Sequence, residues 1–87
     1  MKIKKGFMKR KIGDKYLVVT TGELARSNSM FIELNETSNE IWDYVEKGYD
    51  EEKIASRLSK KYGISHKKAL SDTKKLLSEM EQAGIFE

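Results

Sequence analysis

The chain has 87 residues, of which 38% are hydrophobic and 36% charged, and this length supports one domain over residues 1–87 with one modest core. The sequence contains no cysteine, which excludes disulfides, thiolate metal sites and a cysteine nucleophile, and no apolar run approaches the roughly 20 residues needed to span a bilayer. Residues 1–15 hold seven Lys or Arg against one acid, a net charge of +6, so the other residues carry −3 within the overall +3.

The first elements along the chain predict a β-hairpin. Two extended runs, at residues 7–12 and 15–20, flank Gly13 and Asp14. A two-residue loop with glycine first suits a type II′ turn, because its first central position takes a positive φ. The lysines of this region favour a solvated edge strand, because exposed lysines protect such a strand from aggregation. The alternative is a basic patch that attracts an acidic partner.

A third strand is predicted at residues 30–34, after a loop at residues 22–29 that lacks a periodic apolar pattern. Met30, Ile32 and Leu34 alternate with the residues between them, which is typical of a strand with one buried face. The charged first residues of the chain are followed by no apolar segment, so we expect no secretory signal and a cytoplasmic protein.

The first helix is predicted at residues 37–47. Thr37 and Glu40 have the spacing of a capping box, in which each side chain accepts a hydrogen bond from a free N–H of the first turn. The apolar side chains at Ile41, Trp42 and Val45 are expected to face inward. Gly48 follows at the position that tolerates left-handed geometry.

Two further helices are predicted at residues 51–62 and 66–83. Asp50 and Ser65 are the expected N-caps, and Gly63 and Gly84 the expected stops. In the last helix, a core stripe lies within about 60° on the helical wheel and comprises Ala69, Thr73, Leu76 and Met80. The pattern therefore predicts an α+β domain with a three-stranded antiparallel sheet followed by a three-helix bundle, similar to a winged helix-turn-helix domain.

Several short segments stand in an order and spacing that carry a family resemblance: Thr21-Gly22-Glu23, the segment from Leu34-Asn35 to Ile41-Trp42, Tyr62, and Asp72 followed by Leu76-Leu77, Met80 and Gly84-Ile85. Together they resemble the PqqD-like family, named for pyrroloquinoline quinone biosynthesis protein D. The resemblance covers about residues 6–85 and identifies the expected fold. Leu34 and Trp42 carry the resemblance but are expected to be core residues.

The resemblance implies a function as well. In PqqD-like domains, the leader segment of a ribosomally made precursor peptide adds as a strand beside the third strand and lies in the cleft with the third helix. This implies a non-catalytic recognition module without a cofactor, and a separate maturation enzyme, in this family often a radical SAM protein. Carried onto this sequence, the peptide-binding residues are Ser29, Met30, Phe31, Ile32 and Glu33 on the strand, and Lys67, Leu70, Lys74 and Leu77 on the helix.

Two questions about this predicted site stay open at the level of sequence. Leu70 and Leu77 lie to one side of the core stripe, where they either widen the core or line the groove. A free edge on the third strand could also pair with a second copy of the chain, which would give a homodimer instead of a peptide complex.

Residues suited to catalysis or metal binding are few. His66 is the only histidine and stands in an expected exposed position at the start of a helix. The acids at Asp50, Glu51 and Glu52 point in different directions on a helix and suit its positive N-terminal end, so we interpret them as helix-stabilising. We therefore expect no catalytic residues, no metal site and no enzyme activity.

A small helix-turn-helix DNA-binding regulator is the alternative interpretation. Residues 54–76 resemble the core of many bacterial repressors, and four lysines of the third helix could contact phosphates: Lys67, Lys68, Lys74 and Lys75. Three acids interrupt this exposed side, however, and no arginine on the helix can read bases. Only three residues follow Gly84, so we expect no wing hairpin there. Nucleic acid is therefore the less favoured partner.

Overall fold

The computed structural model describes residues 2–22 and 31–87. Within them, three strands precede three helices: β1 (Phe7–Ile12), β2 (Lys15–Thr20), β3 (Phe31–Leu34), α1 (Glu36–Glu46), α2 (Glu51–Tyr62) and α3 (His66–Gln82). The three strands form one antiparallel sheet. This arrangement confirms the predicted α+β fold class.

The sheet has the order β1-β2-β3, so β2 is central. Ile12 pairs with Lys15 across the two-residue loop, and Gly13 has a φ of 65°. In the described segments, no residue other than glycine has a positive φ, so Asp14 has a negative φ. A negative φ at the second turn position fits a type II′ turn and excludes a type I′ turn. The predicted hairpin is therefore confirmed, and β1 and β3 are the two edge strands within the described part of the chain.

The cap of α1 differs from the prediction. Asn35, not Thr37, is the N-cap: its backbone is extended and its side-chain oxygen accepts a hydrogen bond from the Ser38 N–H at 2.8 Å. Asparagine caps at least as well as threonine, because its short side chain reaches the same N–H groups. The carboxylate of Glu40 does not close a capping box and instead forms an ion pair with Lys61 of α2.

The turn between α2 and α3 is set by local contacts. Gly63 ends α2 with a φ of 65°, and the Ser59 hydroxyl donates to the Ile64 carbonyl at 2.6 Å. The Ser65 side chain then accepts from the Lys68 N–H at 3.1 Å and begins α3, as predicted. These contacts fix the angle at which α3 leaves α2 and so the position of α3 beside the sheet.

The end of α3 also follows the prediction. The N–H of Ile85 donates to the Met80 carbonyl at 3.0 Å, and that of Gly84 donates to Glu81, which is the Schellman pattern. Ile85 is thereby buried completely. Beyond it, Phe86 forms an isolated antiparallel bridge with Ile3.

The core lies where one face of the sheet meets the helices. Its buried residues come from the three described helices, from β2 and β3, and from the segment after α3: Val18, Leu34, Ile41, Trp42, Val45, Ile54, Ala55, Leu58, Ala69, Thr73, Leu76, Leu77, Met80 and Ile85. The predicted core roles of Leu34 and Trp42 are confirmed. Leu77 is only 9% exposed and Leu70 packs against the cluster, so both leucines widen the core stripe.

One lysine of the basic N-terminal region departs from the expected solvated role. The ammonium of Lys9 lies between β1 and α1, where it donates to Asn39 and Asp43. Its side chain is only 18% exposed. Lys9 therefore ties the outer strand of the hairpin to the first helix. No helix in the described segments is long and apolar enough to cross a membrane.

Candidate functional site

An open groove of about 720 Å³ borders the end of β3 and runs along one side of α3. Its lining residues come from β3 (Glu33), the start of α1 (Asn35, Thr37, Ser38 and Ile41), the end of α2 and the following turn (Tyr62 and Ile64), and α3 (Lys68, Asp72, Lys75, Leu76 and Glu79). The groove is thus built where four elements converge.

The strand that borders the groove is an edge strand. β3 pairs with β2 from Tyr16↔Leu34 to Val19↔Phe31, and no strand pairs with its other side among the residues that the structure describes. In an antiparallel strand, alternate residues direct their N–H and C=O groups to opposite sides. The side of β3 away from β2 therefore presents backbone donors and acceptors that an added strand could use.

The floor of the groove is apolar. Ile41 of α1 and Leu76 of α3 are 1% and 4% exposed, while Tyr62 and Ile64 are half-buried beside them. Burial, and after it the nearby Glu40 carboxylate, raises the pKa of Tyr62 above its ordinary value of 10.0. The phenol therefore stays protonated at neutral pH and can donate a hydrogen bond.

The rim of the groove carries charges of both signs, but they are not equally free. Lys68 pairs with Asp72 one turn along α3 at 2.8 Å, and Lys15 pairs with Glu33 at 3.5 Å. Lys75 and Glu79 also line the groove, yet neither forms an ion pair with a residue in the described part of the chain. Of the rim cations in the described segments, Lys75 is the one that remains available to a ligand.

The predicted strand residues are placed only in part. Phe31, Ile32 and Glu33 form β3, with Ile32 half-buried and Glu33 exposed at the groove. Ser29 and Met30 lie outside the described residues, so their predicted role is neither supported nor opposed.

The predicted helix residues do not line the groove. Lys67, Leu70, Lys74 and Leu77 are all on α3 but are absent from the groove's lining. At about 100° per residue, the groove-lining residues of α3 lie on one side of the core stripe, and these four residues lie on the other side or behind it. The structure therefore places these four residues outside this groove, and their role in peptide binding stays a prediction.

The residues predicted on α3 differ from those that line the groove because the sequence interpretation followed hydrophobicity. Leucines next to a core stripe attract attention as groove residues, whereas the groove face of α3 is mostly charged. A usable signal was present in the spacing: Lys68, Asp72, Lys75 and Glu79 recur every three or four residues with alternating sign. Such a stripe resembles an ordinary solvated face unless the neighbouring strand is known.

The described residues offer little for catalysis. They contain no group of three or more His, Asp and Glu side chains that could hold a metal ion. His66 contacts Glu52 through Nε2 at 3.1 Å, and both side chains are about half exposed or more. This pair links the starts of α2 and α3 at the surface, and neither residue lines the groove.

Comparison with known families decides the relationship. The family model for coenzyme PQQ synthesis protein D (PqqD) matches residues 22–85, which is well over half of the chain. The chain belongs to the PqqD family. Membership in the PqqD family confirms the resemblance inferred from the segments between Thr21 and Ile85. No curated protein sequence matches the chain.

A solved structure has the same fold as this PqqD-family chain. It is the structure of TbiB1 in complex with the TbiA(beta) leader peptide, with a TM-score of 0.80 over 100% of this chain and 95% of the TbiB1 chain. The sequences are 20% identical, so the similarity concerns the fold.

Proposed function

We propose that this PqqD-family protein is a non-catalytic recognition module for the leader segment of a ribosomally made precursor peptide. The leader adds as an antiparallel strand to β3 and lies in the groove beside α3. The observation that carries this proposal is the coincidence of a free strand edge with an open, apolar-floored groove. The neighbouring fold of TbiB1, which was solved with a leader peptide, supports it.

Strand addition suits the geometry of β3. A peptide that pairs with the free side of this strand gains main-chain hydrogen bonds irrespective of its side chains, and specificity then comes from adjoining pockets. The predicted contributions of Ser29, Met30, Phe31, Ile32 and Glu33 are accordingly made through the backbone. Single side-chain substitutions at these positions are therefore expected to have mild effects on affinity.

The groove defines which leader sequences fit. Its floor, with Ile41 and Leu76, accepts one apolar side chain, whose burial contributes about 1.5 to 3 kcal/mol. Lys75 on the rim favours an acidic residue near that apolar anchor, whereas Lys68 is already neutralised by Asp72. Because ordering a flexible peptide offsets part of these terms, we expect a micromolar to submicromolar dissociation constant.

The chemistry on the precursor then belongs to a separate maturation enzyme, and a radical SAM protein is the type that the family resemblance favours. The absence of cysteine from the sequence and the source of the substrate at the ribosome favour a cytoplasmic location. Binding of the leader through β3 leaves the rest of the precursor free to extend toward such an enzyme.

The test is a titration with a fluorescently labelled leader peptide from the precursor encoded beside the gene for this chain. The matched variants are Lys75→Glu, inside the groove, and Lys74→Glu, one residue away on the same exposed helix but off the groove. We expect Lys75→Glu to weaken binding about tenfold or more and Lys74→Glu to change it by about threefold or less.

Two results would contradict the proposed recognition of a leader peptide. One is tight binding of duplex DNA with a steep salt dependence and no response to the peptide, which would favour the helix-turn-helix interpretation. The other is self-association through β3 that saturating leader peptide fails to disrupt, which would favour a structural homodimer. Both are measured on the same protein by anisotropy and by sedimentation.

A further inference from the structure

The sheet has a second face, which the three helices of the described segments do not cover. The strand register places Met8 opposite Val19 and Arg10 opposite Leu17, so these residues share one face. Val18, between them on β2, is 1% exposed and points into the core on the other face. The face that carries Met8, Ile12, Leu17 and Val19 is called the outer sheet face below.

This outer sheet face concentrates exposed apolar surface. Met8 and Ile12 are 46% and 56% exposed, and in the described residues they are the large hydrophobic side chains that remain exposed. Leu17 and Val19 lie beside them, half-buried, and do not pack against the hydrophobic core. Scattered apolar residues need no explanation, but a contiguous apolar patch rimmed by polar residues marks an interaction site.

The charges around the patch restrict its occupant. Arg10 stands between Met8 and Ile12 on the same face of β1 and forms no ion pair with a described residue. At the other edge, Lys15 is paired with Glu33. A symmetric dimer through this face would bring two copies of Arg10 and of the basic N-terminal segment together, which like-charge repulsion opposes. A different protein with acidic side chains around an apolar surface fits better.

The position of the patch relates it to the groove. The outer sheet face extends from β1 across β2 to β3, and a strand added to the free edge of β3 would continue the same surface. A protein seated on the outer sheet face would therefore also contact the outward side chains of the bound peptide. Among residues 2–22 and 31–87, the helical side offers no comparable surface, because the large apolar residues of α1, α2 and α3 are buried or half-buried.

We propose that the outer sheet face is the docking surface for the enzyme that modifies the bound precursor, and that this enzyme presents an apolar patch with an acidic rim. This inference rests on the proposed function for the identity of the partner. The patch is inferred independently of that function, from the strand register and from the exposure of Met8 and Ile12.

The test uses the full chain, the labelled leader peptide and the purified peptide-modifying enzyme encoded beside the precursor gene. In the double variant Met8→Gln/Ile12→Gln, polar side chains replace the patch at positions already exposed. The control is Lys47→Gln/Lys60→Gln, two exposed positions on the helical side that lie outside the groove lining. We expect the patch variant to weaken enzyme binding about tenfold or more and to leave leader affinity within about twofold, while the control changes neither.

The outcomes separate this inference from the proposed function. If wild-type protein fails to bind the leader, the proposed function is wrong. If the leader binds and the patch variant binds the enzyme as tightly as wild type, the docking surface is wrong. Sedimentation that finds a wild-type dimer, dissociated by the patch variant, would also overturn it, because a second copy would then be the occupant. A folded patch variant, checked by circular dichroism, is required in each arm.

Discussion

The side chain of Trp42 allows a sharp test of how the core is built. It is 1% exposed, and its indole N–H is buried without a hydrogen-bond partner among the described residues. A buried donor without a partner destabilises by about 1 to 3 kcal/mol. Trp42 therefore combines a large favourable burial with an unfavourable polar group, and the two contributions can be separated by substitution.

Replacement with alanine removes both contributions and leaves a large cavity, so Trp42→Ala is expected to lower the free energy of unfolding by about 3 to 5 kcal/mol. Trp42→Phe leaves a void of about 40 Å³, which at about 24 cal/mol per Å³ amounts to about 1 kcal/mol. The lost apolar area adds about 1 to 1.5 kcal/mol. Removal of the unpaired N–H returns about 1 to 3 kcal/mol, so Trp42→Phe should remain within about 1.5 kcal/mol of wild type.

The assay is urea unfolding followed by far-ultraviolet circular dichroism, because Trp42 is the only tryptophan and its fluorescence is lost in both variants. The urea midpoint of Trp42→Ala is expected to lie far below the midpoints of wild type and Trp42→Phe. If Trp42→Phe is destabilised as much as Trp42→Ala, the indole N–H contributes a favourable hydrogen bond and the reasoning is wrong.

Three further predictions use the same unfolding measurement. Lys9→Ala should lower the free energy of unfolding by about 1 to 2 kcal/mol, because it removes the hydrogen bonds of Lys9 to α1. Lys9→Met keeps an apolar side chain of similar length and should therefore lose less stability than Lys9→Ala. Equal losses in the two variants would contradict a packing contribution from the apolar stem of Lys9. Asn35→Ala should lower the free energy of unfolding by about 0.5 to 2 kcal/mol, and Thr37→Ala should lower it by less than about 0.5 kcal/mol. A larger loss in Thr37→Ala would indicate that Thr37 is the N-cap. Burial, and after it Glu40, raises the pKa of Tyr44 above its ordinary 10.0, so the folded state holds this proton more tightly than the unfolded chain does. Stability is unaffected by this group well below about pH 10 and falls as pH rises from there through the folded-state pKa; Tyr44→Phe should flatten the loss above about pH 10, and an unchanged slope would argue against it.

The elements of the fold were predictable because their signals are local. Gly13 sets the hairpin turn, Asp50 and Ser65 cap their helices, and Gly63 ends α2 through its left-handed backbone. Each of these effects acts within four or five residues, so the sequence contains all that is needed. The cap of α1 was mispredicted for the same kind of reason: two good capping residues stand two positions apart, and local rules alone do not choose between Asn35 and Thr37.

The site was predictable only in outline, because a groove depends on how elements pack. The strand that borders it follows from the alternation at residues 30–34 and from the family resemblance. Which side of α3 faces that strand depends on the angle between α2 and α3, and the sequence does not specify that angle. Hydrophobicity therefore favoured Leu70 and Leu77, while packing places Asp72 and Lys75 at the groove. Lys9 was missed likewise, since its partners are about 30 residues away.

Amide hydrogen exchange, measured by nuclear magnetic resonance with and without saturating leader peptide, tests the central claim most directly. Of the two edge strands that the structure describes, β1 and β3, only β3 borders the groove. Strand addition at β3 predicts slower exchange for the amides of Phe31–Leu34 that point away from β2, with the edge amides of Phe7–Ile12 unchanged. Protection on β1, or on α3 alone with β3 unchanged, would contradict the account.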